Sequence, residues 1–204
     1  MIDTSTINWQ KNCYGLVPAV IQDVLTGQVL MLGYMNQESL EFTIKTELVT
    51  FFSRSKQRLW TKGEVSGNSL RVVSIDSDCD NDAILVRVMP NGPTCHTGIR
   101  SCFGEDKESA LETIGLLIRT IQNRSIGGSN DSYTQRLLKG GKESYGAKVL
   151  EEAQEVVRAT KLEGKQRTIE EVADLLYHLL VLLRGEEVEI EEVSQELRKR
   201  RKSP

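Results

Sequence analysis

No large charge excess of either sign marks this 204-residue chain: 26 Lys+Arg stand against 29 Asp+Glu, a net of −3. That balance creates no general attraction for nucleic acid or an anionic membrane, so neither is expected as a partner. Long hydrophobic runs are missing too. The longest, "LLYHLLVLL", falls far short of the ~18 to 20 residues that span a bilayer. The opening residues, "MIDTSTINWQKNCYGL", show no apolar stretch behind a basic one. No internal repeat is visible. These absences predict a cytoplasmic protein, whose thiols stay reduced. Cysteine itself is sparse, with four in all. They are therefore free, catalytic or metal-bound rather than paired in disulfides. Cys79, Cys95 and Cys102 crowd together, whereas Cys13 lies apart and reads as structural.

What is present follows two rhythms. "GLVPAVIQDVLTGQVLMLGYM" predicts two strands around Thr26-Gly27. "QESLEFTIKTE" has helical spacing with Asn36 as cap. "LVTFFSRS", "RLWTKGEVSG", "LRVVSIDSD" and "AILVRVMP" predict further strands. After "CFGEDKE" the pattern turns helical. Ser109 and Glu112 resemble a capping box, and Leu111, Ile114, Ile118 and Ile121 form an apolar stripe. "SIGGSND" reads as a loop and "SYTQRLLKGG" as a short helix. Longer helices are expected over about 144–162, from Thr168 with Glu171 at N3, and from about 189. The tail "RKRRKSP" reads as frayed. The expected architecture is a β-rich α+β domain over 1–106 and an all-α bundle over 107–204.

"SIDSDCDNDAILV" sets Asp76, Asp78, Asp80 and Asp82 on alternate residues. If Ile75 to Asp82 is extended, all four share a face, with neighbours ~6.6 Å apart. At an effective dielectric of ~20, each neighbouring pair repels by ~2.5 kcal/mol. A hard, oxygen-preferring cation such as Mg²⁺ relieves that; an acidic strand end in open solvent is the alternative. Strand parity turns Cys79 away from the acids, toward another ion or a neighbouring subunit. Three thiolates with His96 beside Cys95 suit Zn²⁺, with burial as free cysteines the other reading. Arg54, Lys62, Ser66 and Asn68, on a glycine-containing stretch with Trp60, have the chemistry a phosphate needs, or form a plain polar hairpin.

"LWTKGEVSGN", "DSDCDND" and "CHTG…SCF", in that order, resemble phosphoribosyl-AMP cyclohydrolase of histidine biosynthesis over roughly residues 8–104. The resemblance implies opening of the adenine ring of phosphoribosyl-AMP by water at C6, with the N1–C6 bond broken. It implies zinc on Cys79, Cys95 and Cys102, and magnesium on Asp78, Asp80 and Asp82. It also implies a homodimer whose site is shared between subunits. Asp76 is not required by the motif and is at most auxiliary. His96, with an ordinary pKa near ~6.5, is the candidate for proton transfer. Arg54, Trp60, Lys62, Ser66 and Asn68 are the candidates for holding substrate.

In the helical half, "KVLEEAQEV" puts Glu152 and Glu155 on one helix face, and "EEVADLLYH" does the same with Glu171 and Asp174. Two such helices side by side bring four carboxylates together around divalent cations; solvated surface acids are the alternative. Asp174, just before an apolar run, is expected to need a partner. With Lys148 upstream, the pattern resembles phosphoribosyl-ATP pyrophosphatase over about 109–202. The resemblance implies Mg²⁺ on Glu152, Glu155, Glu171 and Asp174. It further implies Glu151 orienting the water and Lys148 on phosphate. His178 reads as a core or supporting residue. The product of this second activity, phosphoribosyl-AMP, is the substrate of the first. The expectation is therefore one bifunctional chain, acting on phosphoribosyl-ATP and then phosphoribosyl-AMP. The competing reading is a non-catalytic zinc-stabilised β module with a helical dimerisation bundle.

Overall fold

A computed structural model describes residues 2–11, 14–104, 108–127 and 132–201. Cys13, the expected 106/107 boundary and the last three residues of the basic tail lie outside them. The chain divides into two compact units, Met1–Gly115 and Leu116–Pro204.

In the first unit, β1 (Val17–Asp23) buries alternate residues, as a strand with one core face must. Its inward row is Val17, Ala19 and Ile21, closed by buried Asp23. The Asp23 carboxylate accepts from the N–H of Leu25 (3.0 Å), which shapes the turn into β2 (Val29–Met35). Helix α1 (Gln37–Thr46) starts where Asn36 accepts from Ser39 N–H at 2.8 Å and the Ser39 hydroxyl closes the capping box. β3 (Thr50–Ser53) and β4 (Arg58–Thr61) form a separate hairpin. β5 (Leu70–Ser77) and β6 (Ile84–Pro90) complete a four-stranded sheet in the order β2-β1-β6-β5. Among the described residues only the β1–β6 pair of this sheet is parallel. The inward rows meet α1 and Phe51 in one core that includes Leu40, Ile84, Val86 and Val88. Each such side chain, fully buried, stabilises by ~1.5–3 kcal/mol.

The expectation of an extended run from Ile75 to Asp82 is overturned. β5 ends at Ser77, and residues 78–82 form the turn into β6, with Asn81 at φ 58°. The Asp78 carboxylate accepts from the N–H groups of Asp82 (2.9 Å) and Ala83 (3.1 Å), a local bond that competes with strand pairing. Only Asp76 sits on the strand.

The second unit is built from helices. α2 (Ala110–Ile126), whose first residues up to Gly115 belong to the first unit, carries the expected capping box: Ser109 N–H meets Glu112 at 2.7 Å and Glu112 N–H meets the Ser109 hydroxyl at 3.2 Å. Leu111 of its predicted stripe is exposed, while Ile121 is buried. α3 (Tyr133–Lys139), α4 (Gly141–Leu162), α5 (Lys165–Gly185) and α6 (Ile190–Arg200) follow. The predicted start of α5 at Thr168 is corrected. Gly164, at φ 91°, turns the chain, and the Thr168 hydroxyl bonds back to the Gly164 carbonyl at 3.0 Å inside the first turn. Ile121, Leu137, Tyr145, Leu180 and Val181 form the core of this unit. The architecture is the expected pairing of a β-rich α+β domain with a helical one.

Candidate active sites

The first site lies beside β2, on the loop after β6. The Ser101 hydroxyl donates to the Val29 carbonyl (2.8 Å) and Cys102 N–H to the Leu30 carbonyl (2.7 Å), which fixes the loop on the strand. A tight turn returns Cys95 to face Cys102: Cys95 N–H bonds the Ile99 carbonyl at 3.0 Å, with Gly98 at φ 89°. The Thr97 hydroxyl, 3.1 Å from Cys95 Sγ, holds that thiol below its usual pKa, helped by Cys102. Burial and the neighbouring Cys95 push the Cys102 thiol up. His96 is exposed, with Nδ1 3.8 Å from Cys95 Sγ.

The two thiols line a cavity of ≈ 410 Å³ together with Trp60, Lys62, Ser66, Asn68 and His96. Lys62 is buried and donates to the Asn68 carbonyl at 3.3 Å. Burial lowers its pKa, and the two thiols work against that shift. The turn carrying Ser66 and Asn68 is held by Glu64, which accepts from Thr61 N–H (3.2 Å) and Arg58 (2.9 Å). Arg54 lines a different cavity, with Tyr34 and Phe52. The structure thus gathers Trp60, Lys62, Ser66, Asn68, Cys95, His96 and Cys102 and leaves Cys79 out of that lining.

Cys79 is exposed in the acidic turn. Among the described residues, two groups of three or more possible metal ligands converge within 4.8 Å: Asp78, Asp80 and Asp82; and Glu152, Glu171 and Asp174. The three thiols do not form such a group within one chain. Asp76 stands apart as well, paired with Arg87 at 2.5 Å. Lys11 bridges Asp80 (2.5 Å) and Asp82, and this raises its pKa. Nothing local foretold that pair, which joins residues 69 positions apart.

The second site is carried by α4 and α5. Glu152 and Glu171 are buried; Asp174 is exposed, contrary to the expectation drawn from the apolar run after it. Helix geometry explains the difference: Asp174 lies at the solvent edge of the face that Glu171 turns inward. Glu155 does not join the trio. It pairs with Arg158, 3.0 Å away. Lys148 contacts Glu151 (2.8 Å) and Glu152 (3.1 Å), and these pairs raise its pKa. Arg167 pairs with Glu171 and with Glu170 (3.0 Å). Its i,i+4 spacing to Glu171 is the local signal of that pair in the sequence. Buried His178 places Nε2 3.7 Å from Glu152, and the Tyr133 and Tyr177 rings meet its edge at 5.8 and 5.1 Å.

Three hard oxygen ligands from two helices fit a divalent cation of the magnesium type. The paired thiols supply two of the soft donors that zinc prefers, and the acidic turn supplies three oxygens. A family model for phosphoribosyl-AMP cyclohydrolase matches residues 31–104. One for phosphoribosyl-ATP pyrophosphohydrolase matches 115–201. Similar curated proteins include the histidine biosynthesis bifunctional protein HisIE of Staphylococcus epidermidis, 50% identical over 90% of this chain and 86% of that protein. That of Staphylococcus aureus is 50% identical over 91% and 87%. That of Photobacterium profundum is 47% identical over 96% and 97%.

Proposed function

The chain belongs to the family of bifunctional histidine-biosynthesis proteins, metal-dependent hydrolases that join a phosphoribosyl-AMP cyclohydrolase to a phosphoribosyl-ATP pyrophosphohydrolase, and on that premise we propose which residues carry each reaction. The non-catalytic alternative falls with that membership.

In the helical unit, Glu152, Glu171 and Asp174 hold magnesium, and Glu155 joins them on leaving Arg158. The observation that carries this reading is the convergence of three carboxylates from two helices within 4.8 Å. Magnesium there supplies positive charge to the triphosphate and to the leaving pyrophosphate. Lys148 meets phosphate, and Glu151, exposed beside it, orients the attacking water. His178, buried 3.7 Å from the Glu152 carboxylate, packs beside it. Water attacks between the α and β phosphates, pyrophosphate departs and phosphoribosyl-AMP remains.

In the β-rich unit, zinc on the Cys95–Cys102 pair and a third thiol, Cys79, supplies the Lewis acidity that lowers water's pKa toward ~7. Asp78, Asp80 and Asp82 hold magnesium. The C6–O bond forms, the N1–C6 bond breaks, and N1 takes a proton delivered by His96, the exposed base at the cavity mouth. Trp60, Lys62, Ser66 and Asn68 line the space for the nucleotide. Because the three thiols do not converge within one chain, the working form is a homodimer, in which Cys79 of one copy reaches the Cys95–Cys102 pair of the other. The setting is the cytoplasm. Among the described residues no helix is long and apolar enough to cross a membrane.

Two assays on one purified sample test the division. One follows pyrophosphate release from phosphoribosyl-ATP; the other follows the absorbance change as the purine ring opens. Cys95→Ser abolishes only ring opening, and Glu152→Gln abolishes only pyrophosphate release. Survival of both activities in both variants overturns the residue assignments.

A further inference from the structure

We propose that the β3–β4 hairpin holds a phosphate subsite of its own, in which Arg54, flanked by Ser53 and Ser55, grips the AMP 5′-phosphate of the ring-opening substrate. The proposal rests on the ring-opening reading above and adds Arg54, from a separate cavity, to the residues Trp60, Lys62, Ser66 and Asn68 that the reading places around the nucleotide.

Two cavities in the β-rich unit share Met31 and Trp60 as walls. The first, of ≈ 410 Å³, contains the thiol pair and Lys62. The second, of ≈ 520 Å³, is lined by the hairpin and β2, and its one charged lining residue is Arg54. The two cations are held in opposite ways. Lys62 is buried, bonded to the Asn68 carbonyl, and lines the same cavity as both thiols, which places it at the reacting end. The Arg54 guanidinium lies 3.9 Å from the Tyr34 ring centroid and has no carboxylate partner among the described residues. Arg58, the other hairpin arginine, is tied to Glu64 at 2.9 Å. A guanidinium laid on an aromatic ring keeps its in-plane N–H donors free, the geometry that matches a phosphate's paired oxygens. The Ser53 and Ser55 hydroxyls, 3.4 Å apart, add neutral donors on the same turn.

Substrate shape decides which phosphate goes there. Phosphoribosyl-AMP carries two, one on the ribose attached to N1 and one on the AMP ribose at N9. C6 must meet the thiol cavity, and N1 is bonded to C6, so the N1 branch begins at the reacting centre. N9 lies across the purine from C6, so the AMP arm points out of that cavity. Trp60 lines both cavities and is braced on Phe51 (centroids 5.6 Å apart, planes at 29°). It is the wall along which the nucleotide passes from one cavity to the other. Arg54 thereby selects a nucleotide over a nucleoside without touching the reacting atoms.

The test uses the full chain, with AMP and adenosine as competing inhibitors of ring opening. In the unaltered protein AMP inhibits more strongly than adenosine. In Arg54→Ala that advantage disappears, and KM for phosphoribosyl-AMP rises about ten- to hundredfold, the range for losing a charge-assisted bond, while kcat changes little. Arg54→Lys, which keeps the charge without the fork, recovers part of the loss. Pyrophosphate release by the same samples and their melting curves report on folding. An Arg54→Ala protein that keeps the AMP-over-adenosine ratio overturns the proposal; if its KM still rises, Arg54 holds the other phosphate. Absence of ring opening in the unaltered protein removes the underlying reading instead.

Discussion

Glu152 of α4 and Glu171 of α5 are both buried, and their carboxylate oxygens lie within 4.8 Å of each other. At an effective dielectric of ~20, two full charges at that separation repel by ~3.5 kcal/mol. Lys148 and Arg167, each on the same helix as its glutamate, offset part of this. The magnesium proposed between the helices would offset the rest.

Magnesium is therefore expected to stabilise the fold as well as serve the reaction. At a hundredfold excess over Kd, a ligand that binds only the native state contributes ~2.7 kcal/mol. Melting curves with and without millimolar Mg²⁺ should show a rise in Tm of several degrees. Glu171→Gln should lose most of that rise together with pyrophosphate release, and keep ring opening.

The separation of Cys79 from the Cys95–Cys102 pair predicts complementation between inactive variants. Cys79→Ser and Cys95→Ser each lack ring opening alone. When the two are unfolded and refolded together, half of the dimers are mixed, and each mixed dimer has one intact site of two. Activity should recover to about a quarter of the unaltered level. No recovery would place all three thiols within one chain.

Gly63 holds the turn beside Lys62 at φ 89°, and a Cβ there would stand 2.6 Å from the backbone of Asn68 and Ser69. Gly63→Ala combines left-handed strain with a backbone clash. Chemical denaturation should show a loss of about 2 kcal/mol or more, with ring opening impaired and pyrophosphate release kept.

Much of this architecture was legible because local signals agreed with the fold. Asn36 capped α1 as its residue type and spacing required, and the alternation in β1 matched its buried face. Failures came where a local bond competed with periodicity. The Asp78 carboxylate bonds the backbone of its own turn, so "DSDCDND" clusters its acids by turning rather than by strand alternation. Thr168 resembled a cap because Glu171 follows it three residues later, yet Gly164 sets the helix start. Long-range pairs left no local trace: Lys11 on Asp80 and Tyr145 on Glu186 depend on tertiary packing. Which acids share a site was half visible. Glu152, Glu171 and Asp174 converge, while Arg158 diverts Glu155.

Glu186 joins the end of α5 to the start of α4 through Lys142 (2.6 Å) and Tyr145. Lys142 first and Tyr145 second hold its carboxyl below the usual range. A carboxyl whose pKa is depressed by folding stabilises above its unfolded pKa, and that stability is lost as pH falls through the folded value. The Tm difference between the unaltered protein and Glu186→Gln should be present at pH 6–7 and close below about pH 4.

Metal removal tests the central claim, that clustered acids and thiols work through multivalent ions. A sample stripped by a strong chelator should hydrolyse neither phosphoribosyl-ATP nor phosphoribosyl-AMP at an appreciable rate. Magnesium alone should restore pyrophosphate release, and ring opening should return only with zinc as well. A stripped sample that processes both compounds as fast as an untreated one would contradict the account.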